Sequence, residues 1–212
     1  MKIVLYGASG MIGSRILAEA LSRGHTVVGV VRTPESVPAS PYVTAVKGDA
    51  TDAASIAATA AGADLAISAY SPGTGPQDDL SKNAHALLDG LATAGVPRVI
   101  VVGGAGSLEV APGMLLAETP QFPEAVKPRA NAQKAQLDIF RASTNPAVTW
   151  TFVCPAAMIA PGERTGTFRV GGDAFMTDAD GKSKISAEDY AIAILDEAET
   201  AAHPNQRISV AY

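Results

Sequence analysis

Short apolar runs alternate along the chain with segments in which apolar residues recur at helical spacing. The first run, KIVLY at residues 2–6, precedes a segment from Met11 to Arg23 whose apolar positions repeat every three or four residues. The short runs predict buried strands and the periodic segments predict amphipathic helices. The predicted strands are residues 2–6, 25–31, 43–48, 64–70, 97–104, 148–154 and 207–212. The predicted helices are residues 11–23, 52–61, 77–94, 127–143 and 187–201.

The order of these elements predicts the fold class. Nearly all-apolar strands that alternate with helices are typical of a parallel sheet covered on both faces, and right-handed crossovers make such a sheet doubly wound. We expect an α/β protein with a Rossmann-type sheet and a small C-terminal substrate-cap region, as a single domain over residues 1–212. Residues of about 105–127 and 155–185 are expected to form substrate-side loops, with a short hairpin around 166–177.

Composition and charge disfavour several classes of protein. The chain is 47% hydrophobic, 17% charged and has a formal net charge of −5, so a nucleic-acid or acidic-membrane partner is not expected. No apolar stretch approaches the roughly 18 residues of a membrane span, and the N-terminus has no signal-peptide pattern. The single cysteine, Cys154, cannot form an internal disulfide. We therefore expect a cytoplasmic protein that acts on a small molecule, either as a monomer or as a homodimer.

A glycine-rich turn follows the first predicted strand. GASGMIG at residues 7–13 has the spacing G-x-x-G-x-x-G between a strand and a helix, which is the context that a dinucleotide-binding turn requires. The glycines allow a tight turn and a close approach of the backbone to pyrophosphate, and the helix N-terminus offers N–H groups to the phosphates. The predicted cofactor-binding residues in this turn are Gly7, Ser9, Gly10, Met11 and Ile12.

The end of the second strand indicates which dinucleotide binds. NAD-binding proteins place an acidic residue there to hold the ribose hydroxyl, but this chain has no acid between His25 and Pro34 and has Arg32 instead. A guanidinium suits a 2′-phosphate because it can donate two hydrogen bonds to phosphate oxygens. Arg15 could supply a second positive charge. The sequence therefore favours NADP(H) over NAD(H).

Four segments together resemble the atypical short-chain dehydrogenase/reductase group, in particular its NAD(P)H-binding, NmrA-like branch, which includes biliverdin reductase B-like proteins. They are GASGMIGSRIL, the Gly48–Asp49 pair, VIVVGGAGSLEV and VTWTFVCPAAM. The resemblance implies that Asp49 and Ala50 lie beside the adenine, and that Ala69 and Tyr70 lie along the ribose and phosphates. It also implies that Gly103 to Ser107 border the nicotinamide, with Pro155 and Ala156 behind its carboxamide.

The catalytic Tyr-x-x-x-Lys pair of better-known short-chain enzymes is missing. The corresponding helix resembles the family helix with Lys134 retained and Ala130 in place of the tyrosine. The remaining candidates for a catalytic role are Ser107, near the nicotinamide, and Lys134, as a ribose anchor. No histidine spacing indicates a metal site, and Cys154 in its apolar strand is expected to be an inert core residue.

These features predict an NADP(H)-dependent oxidoreductase that transfers hydride to a small apolar or conjugated acceptor, such as a quinone, a flavin or a carbonyl compound. The alternative is a non-catalytic, NmrA-like module that senses NADP(H). An epimerase-like enzyme is a weaker alternative, because the tyrosine is absent and the C-terminal cap is short for a sugar nucleotide.

Overall fold

A computed structural model describes all 212 residues and has the predicted order of strands and helices. The strands are β1 (Lys2–Tyr6), β2 (Thr26–Val31), β3 (Val43–Lys47), β4 (Leu65–Ser68), β5 (Arg98–Val102), β6 (Glu109–Ala111), β7 (Met114–Leu115), β8 (Thr149–Pro155), β9 (Met158–Ala160), β10 (Arg169–Gly171), β11 (Lys184–Ser186) and β12 (Gln206–Ala211). The helices are α1 (Met11–Ser22), α2 (Ala53–Ala60), α3 (Asp79–Ala94), α4 (Lys127–Ala142) and α5 (Ala187–Thr200).

The central sheet has eight strands in the order β10-β12-β8-β5-β4-β1-β2-β3. Seven of them are parallel and correspond to the seven predicted strands, while β10 pairs antiparallel with β12 at one edge. The chain runs outward from β1 to β3 and then returns to β4 on the other side of β1. The strand order therefore reverses between β1 and β4, which is where a doubly wound sheet binds its ligand.

The hairpin predicted around residues 166–177 is wrong. Its residues contribute β10, which pairs with the last strand in the register Val170↔Val210 and extends the main sheet. A two-stranded hairpin is marginal by itself, whereas an edge strand gains a ready row of backbone partners. The other predicted loop, 105–127, contains the small antiparallel pair β6–β7 and three short 3₁₀ turns.

Helices cover both faces of the sheet. The helices α1 and α5 pack together on one face, and α2, α3 and α4 pack side by side on the other. Strand β1 shows how the sequence achieves this, because Ile3 and Leu5 enter the core beneath α1 while Val4 and Tyr6 enter the opposite core. Alternate residues of a strand point to opposite faces, so an all-apolar strand serves two cores.

Two helix starts follow the capping chemistry of their sequences. The Asp52 carboxylate accepts a hydrogen bond from the Ala54 N–H, and the Ser186 hydroxyl accepts one from the Asp189 N–H. Each cap satisfies an N–H group that the first helical turn leaves free. None of the helices has the length and apolar character needed to cross a bilayer.

Candidate dinucleotide and acceptor cleft

The three glycines of the turn after β1 have different structural roles. Gly7 has φ +80°, and a Cβ there would lie 2.6 Å from the Ala69 carbonyl oxygen of the neighbouring strand end. A Cβ on Gly13 would lie 2.0 Å from the Gly7 carbonyl oxygen, so no side chain fits between α1 and β1. Gly10 has no such restriction within the protein, since its Cβ would meet nothing closer than the Gly7 oxygen at 3.4 Å. Gly7 and Gly13 thus serve the fold, and Gly10 leaves free space toward solvent.

That free space fits the pyrophosphate of a dinucleotide. Gly10 is exposed and directly precedes α1, which begins without a side-chain cap and without an acidic residue in its first turn. The first N–H groups of a helix have no partner inside the helix, and together with its dipole they attract an anion. The glycine turn therefore has the shape and the electrostatics of a phosphate cradle.

A cleft of about 800 Å³ opens at the carboxyl ends of β1, β4, β5 and β8, across the reversal of strand order. Its walls continue from the glycine turn to a chamber formed by the 105–127 segment, the start of α4 and the residues after β8. The predicted cofactor-binding residues that line it are Gly10, Met11, Ile12, Ala69, Tyr70, Gly103, Pro155 and Ala156. The others, Gly7, Ser9, Arg32, Asp49 and Ala50, are not part of this lining.

A glycine-rich loop after β5 forms the floor of the cleft. A Cβ on Gly103 would lie 2.3 Å from the Phe152 ring, and one on Gly104 would lie 2.0 Å from the Gln133 side-chain oxygen. A Cβ on Gly106 would lie 2.6 Å from the Cβ of Ala130. The loop therefore lies flat on β8 and α4, with no room for a side chain at Gly103 or Gly106, whereas a side chain at Gly104 would require Gln133 to move.

Ser107 supports this floor from below and does not face the cleft. Its side chain is buried, and its hydroxyl donates to the Gly104 carbonyl oxygen over 3.2 Å. The buried guanidinium of Arg207 on β12 donates to the Ser107 carbonyl oxygen and also pairs with Asp173. The structure thus does not bring the Ser107 hydroxyl to the position expected of a catalytic group. The sequence did not indicate this role for Arg207, because nothing in its strand distinguishes it from an exposed arginine at a sheet edge.

Lys134 also lies outside the cleft. Its ammonium group is exposed and pairs with Asp138, one turn later on α4, at 2.7 Å. The expected ribose anchor therefore does not reach the cavity in this structure. The α4 residues that do line it are Arg129, Ala130 and Gln133, and the two polar ones were not singled out from the sequence. The sequence does contain an indication of their shared position, because residues 129 and 133 are four apart and lie on the same face of the helix.

Ala130, at the position of the missing tyrosine, is buried beneath Gly106. A phenol ring at this position would collide with the floor loop. The tyrosines of the core are no substitute, because the Tyr190 hydroxyl donates to the Val153 carbonyl over 2.6 Å and the Tyr6 hydroxyl donates to the Ile56 carbonyl. Burial raises the pKa of Tyr190 well above its ordinary value. The cleft therefore holds no phenol–lysine pair.

Tyr70 is the one tyrosine that lines the cleft, and it is half-buried. Burial raises the pKa of its phenol, and the charges of Asp79 and Asp49 raise this pKa further, while Arg32 lowers it. Arg32 follows β2, Asp49 follows β3 and Tyr70 follows β4, so all three lie at the carboxyl-end rim of the sheet, while Asp79 begins α3. Arg32 is exposed at this rim. Arg15 instead pairs with Glu188 at 3.1 Å.

Asp49 and Ala50 are held by hydrogen bonds at the same rim. The Asp49 carboxylate accepts from the N–H and the hydroxyl of Thr51, and these bonds lower the pKa of Asp49. The Ala50 carbonyl accepts from the side-chain amide of Asn83 over 2.6 Å. Asn83 is fully buried and also bonds to Ser68 and Gln136, so it ties α3, α4 and the ends of β3 and β4 together. No local pattern in the sequence indicates this network, because it depends on contacts between distant segments.

Cys154 is a buried free thiol, as expected. Its sulfur lies 3.8 Å from the Ser107 hydroxyl, and burial raises the pKa of the thiol to about 11. A neutral, inaccessible thiol is unreactive.

Comparisons with known proteins agree with this site. The chain matches the NAD(P)H-binding family over residues 7–201. A structure from Burkholderia pseudomallei, described as a candidate exported protein, is 48% identical with TM-score 0.91 and full coverage of both chains. A candidate epimerase from Bacteroides thetaiotaomicron is 39% identical with TM-score 0.92, covering 100% of this chain and 96% of that one. A candidate NADH-flavin reductase from Streptococcus pneumoniae is 37% identical with TM-score 0.86, covering 100% of this chain and 99% of that one.

The fold and the phosphate cradle define a Rossmann-type oxidoreductase that binds a nicotinamide dinucleotide. The chain belongs to the NAD(P)H-binding, NmrA-like branch of the atypical short-chain dehydrogenase/reductases, as its motifs predicted.

The glycine roles give a first prediction. Gly10→Val should weaken dinucleotide binding by at least about tenfold, because the branched side chain occupies the phosphate space, and it should leave the thermal midpoint nearly unchanged. Gly13→Val should instead lower the midpoint sharply, because its side chain meets the Gly7 carbonyl. Calorimetric titration with NADPH and thermal unfolding measure the two effects. Unaltered NADPH affinity in Gly10→Val would show that the glycine turn does not bind the pyrophosphate.

The Arg207 contacts give a second prediction. Arg207→Met should destabilise the fold by about 1–3 kcal/mol, since it leaves the buried Ser107 carbonyl without its donor, while the half-exposed Asp173 keeps Arg141 as a partner. Arg141→Met removes an exposed partner of the same Asp173 and should cost less than about 1 kcal/mol. Urea unfolding of both variants makes the comparison. Equal losses would show that Arg207 does not hold the floor loop.

Proposed function

We propose that this protein is an NADPH-dependent reductase of small conjugated acceptors. The observation that carries the proposal is the continuity of the cleft, which runs from an uncapped helix start to a mainly apolar chamber. A dinucleotide laid on the glycine turn would extend its nicotinamide end toward the floor loop at Gly103–Gly106. The chamber beyond would then hold a small acceptor against the nicotinamide.

Arg32 supports the choice of NADPH over NADH. It stands at the end of β2, is exposed, and makes no ion pair with the protein. Asp49, at the same rim, accepts two hydrogen bonds from Thr51 within its own turn. A 2′-phosphate would therefore meet an available guanidinium.

The acceptors that we propose are quinones, flavins and conjugated carbonyl compounds. When bound, the reduced nicotinamide supplies a hydride, which carries two electrons and one proton. The acceptor needs one more proton to complete its reduction, and the cleft has no phenol–lysine pair to provide it. We assign this proton to water, because such acceptors take up hydride with little acid catalysis. The residues of the cleft then act by positioning the two reactants and by excluding bulk water from the face between them.

Absorbance of NADPH tests the proposal directly. The purified chain is incubated with NADPH and a panel that contains a quinone, a flavin and an enal, and the loss of reduced cofactor is followed. We expect turnover with at least one acceptor. Saturable NADPH binding without turnover on any acceptor would favour the alternative, a nucleotide-sensing module.

Two further assignments stay predictions. A single domain and a cytoplasmic location agree with one continuous central sheet and one buried free thiol. Fractionation of cells of the source organism with an antibody would test the location, and a cooperative single transition on unfolding would test the domain assignment.

Cofactor choice gives a third prediction. Arg32→Asp should weaken NADPH binding about tenfold to a hundredfold or more, because it removes a charge-assisted hydrogen bond and adds repulsion. Binding of NADH should stay unchanged or improve, since a carboxylate accepts from ribose hydroxyls. Arg15→Ala should alter both affinities little, because Arg15 is engaged with Glu188. Calorimetric titration decides this, and equal affinities of the unsubstituted protein for NADH and NADPH would contradict the role of Arg32.

The proton source gives a fourth prediction. Tyr70→Phe should keep turnover within about tenfold of the unsubstituted protein, because water supplies the proton. General acids contribute typically 10²–10⁴-fold, so a loss of about a hundredfold or more would identify Tyr70 as the donor. A phenol whose pKa is raised stays protonated at neutral pH, so the rate should show no inflection from Tyr70 around pH 7. Rates measured between pH 6 and 9 with both proteins make the test.

A further inference from the structure

We propose that Arg129 forms an anion-binding subsite in the acceptor chamber. The preferred acceptor would then be a planar conjugated molecule that carries a carboxylate or a phosphate. This inference rests on the proposed reductase function and narrows its class of substrate.

Arg129 is electrostatically isolated in the cleft. Of the 26 residues that line the cavity, it is the only one with a formal charge, and no aspartate or glutamate is among them. Its guanidinium forms none of the ion pairs or side-chain hydrogen bonds of the protein, although most other arginines do. Arg129 is exposed at the edge of the cleft, and an unpaired guanidinium there can hold an anionic ligand through two hydrogen bonds.

The nearby acids are already engaged. Glu118 accepts a hydrogen bond from the Leu115 N–H, and Glu124 pairs with Lys127. No acidic residue is present in the first turn of α4, where Arg129 lies. A cation at a helix N-terminus opposes the helix dipole, so this position costs stability unless an anion binds there. The first turn of α4 thus presents an exposed cation with which no acid of the protein pairs.

The surroundings of Arg129 fit the remainder of a planar acceptor. Gln133, one turn further along α4, lines the same cavity and adds a side-chain amide. The apolar residues that the neighbouring wall contributes are Leu116, Phe122 and Val126. An aromatic body in contact with this wall could direct an acidic substituent toward Arg129 and Gln133.

The phosphates of the dinucleotide have other partners in the proposed binding mode. The glycine turn before α1 holds the pyrophosphate, and Arg32 at the end of β2 meets the 2′-phosphate. Arg129 belongs instead to α4, beside the 116–126 segment. It is therefore available to the acceptor.

FMN and riboflavin test the subsite, because they share one ring system and differ by a phosphate. Binding is measured by flavin fluorescence in the presence of saturating NADP⁺, which permits no turnover. We expect FMN to bind about tenfold to a hundredfold more tightly than riboflavin, with a preference that falls as salt increases. Arg129→Gln should abolish the preference without lowering the thermal midpoint, and Arg129→Lys should retain part of it.

Lys127→Gln is the matched control. Lys127 lies two residues before Arg129, and its side chain does not line the cavity, so the substitution removes a nearby positive charge without altering the subsite. It should keep the FMN preference. A carboxylate arm compares 4-formylcinnamate with its methyl ester by how well each displaces bound FMN, again with saturating NADP⁺. The proposal is overturned if neither anionic probe binds better than its neutral partner. It is also overturned if Arg129→Gln weakens NADP⁺ binding and leaves the FMN preference intact. Turnover with NADPH, measured separately, shows whether the reductase function itself fails.

Discussion

The close approach of α1 to the end of β1 is the constraint on which the rest of the site depends. Gly13 leaves no room for a side chain beside the Gly7 carbonyl, and Gly7 in turn lies against the Ala69 carbonyl of β4. These two contacts fix the helix start, the end of β1 and the end of β4 in one arrangement. The uncapped N–H groups of α1 consequently point over the place where the strand order reverses. A methyl group added at either glycine would push α1 away from the strand ends, and the phosphate cradle would then be separated from the rest of the cleft.

The strands of the sheet could be predicted well because the pattern that identifies each strand lies within the strand itself. Each parallel strand is an apolar run between clear breaks, and each helix has a periodic face, so β1 and α1 need no distant contact to be recognised. The glycine turn was predictable for the same reason, because its function follows from spacing and backbone geometry. The hairpin at 166–177 was wrong because β10 is defined by its partner β12, about forty residues later in the chain, and no local pattern encodes that pairing.

The interior of the site was harder to predict, since side-chain direction decides it. Ser107 and Lys134 lie at suitable positions along the chain, yet Ser107 turns beneath the floor loop and Lys134 turns to Asp138. Gln133 and Arg129 reach the cleft from the same helix, with no motif that marks them. The absence of the catalytic tyrosine could be recognised in the sequence, but the packing that replaces it could not be predicted. Gly106 rests on Ala130, so the small residue allows the floor to descend into the volume that a phenol would need.

The contact between Arg207 and the floor loop also has a consequence for biosynthesis. Gly103–Ser107 is translated about a hundred residues before the strand that carries Arg207, and β12 must insert between β8 and β10 before the guanidinium reaches the Ser107 carbonyl. A nascent chain that has already formed its glycine turn therefore still has an unsupported floor. The floor loop therefore gains this support only when β12 has joined the sheet, so this part of the cleft is completed later than the glycine turn.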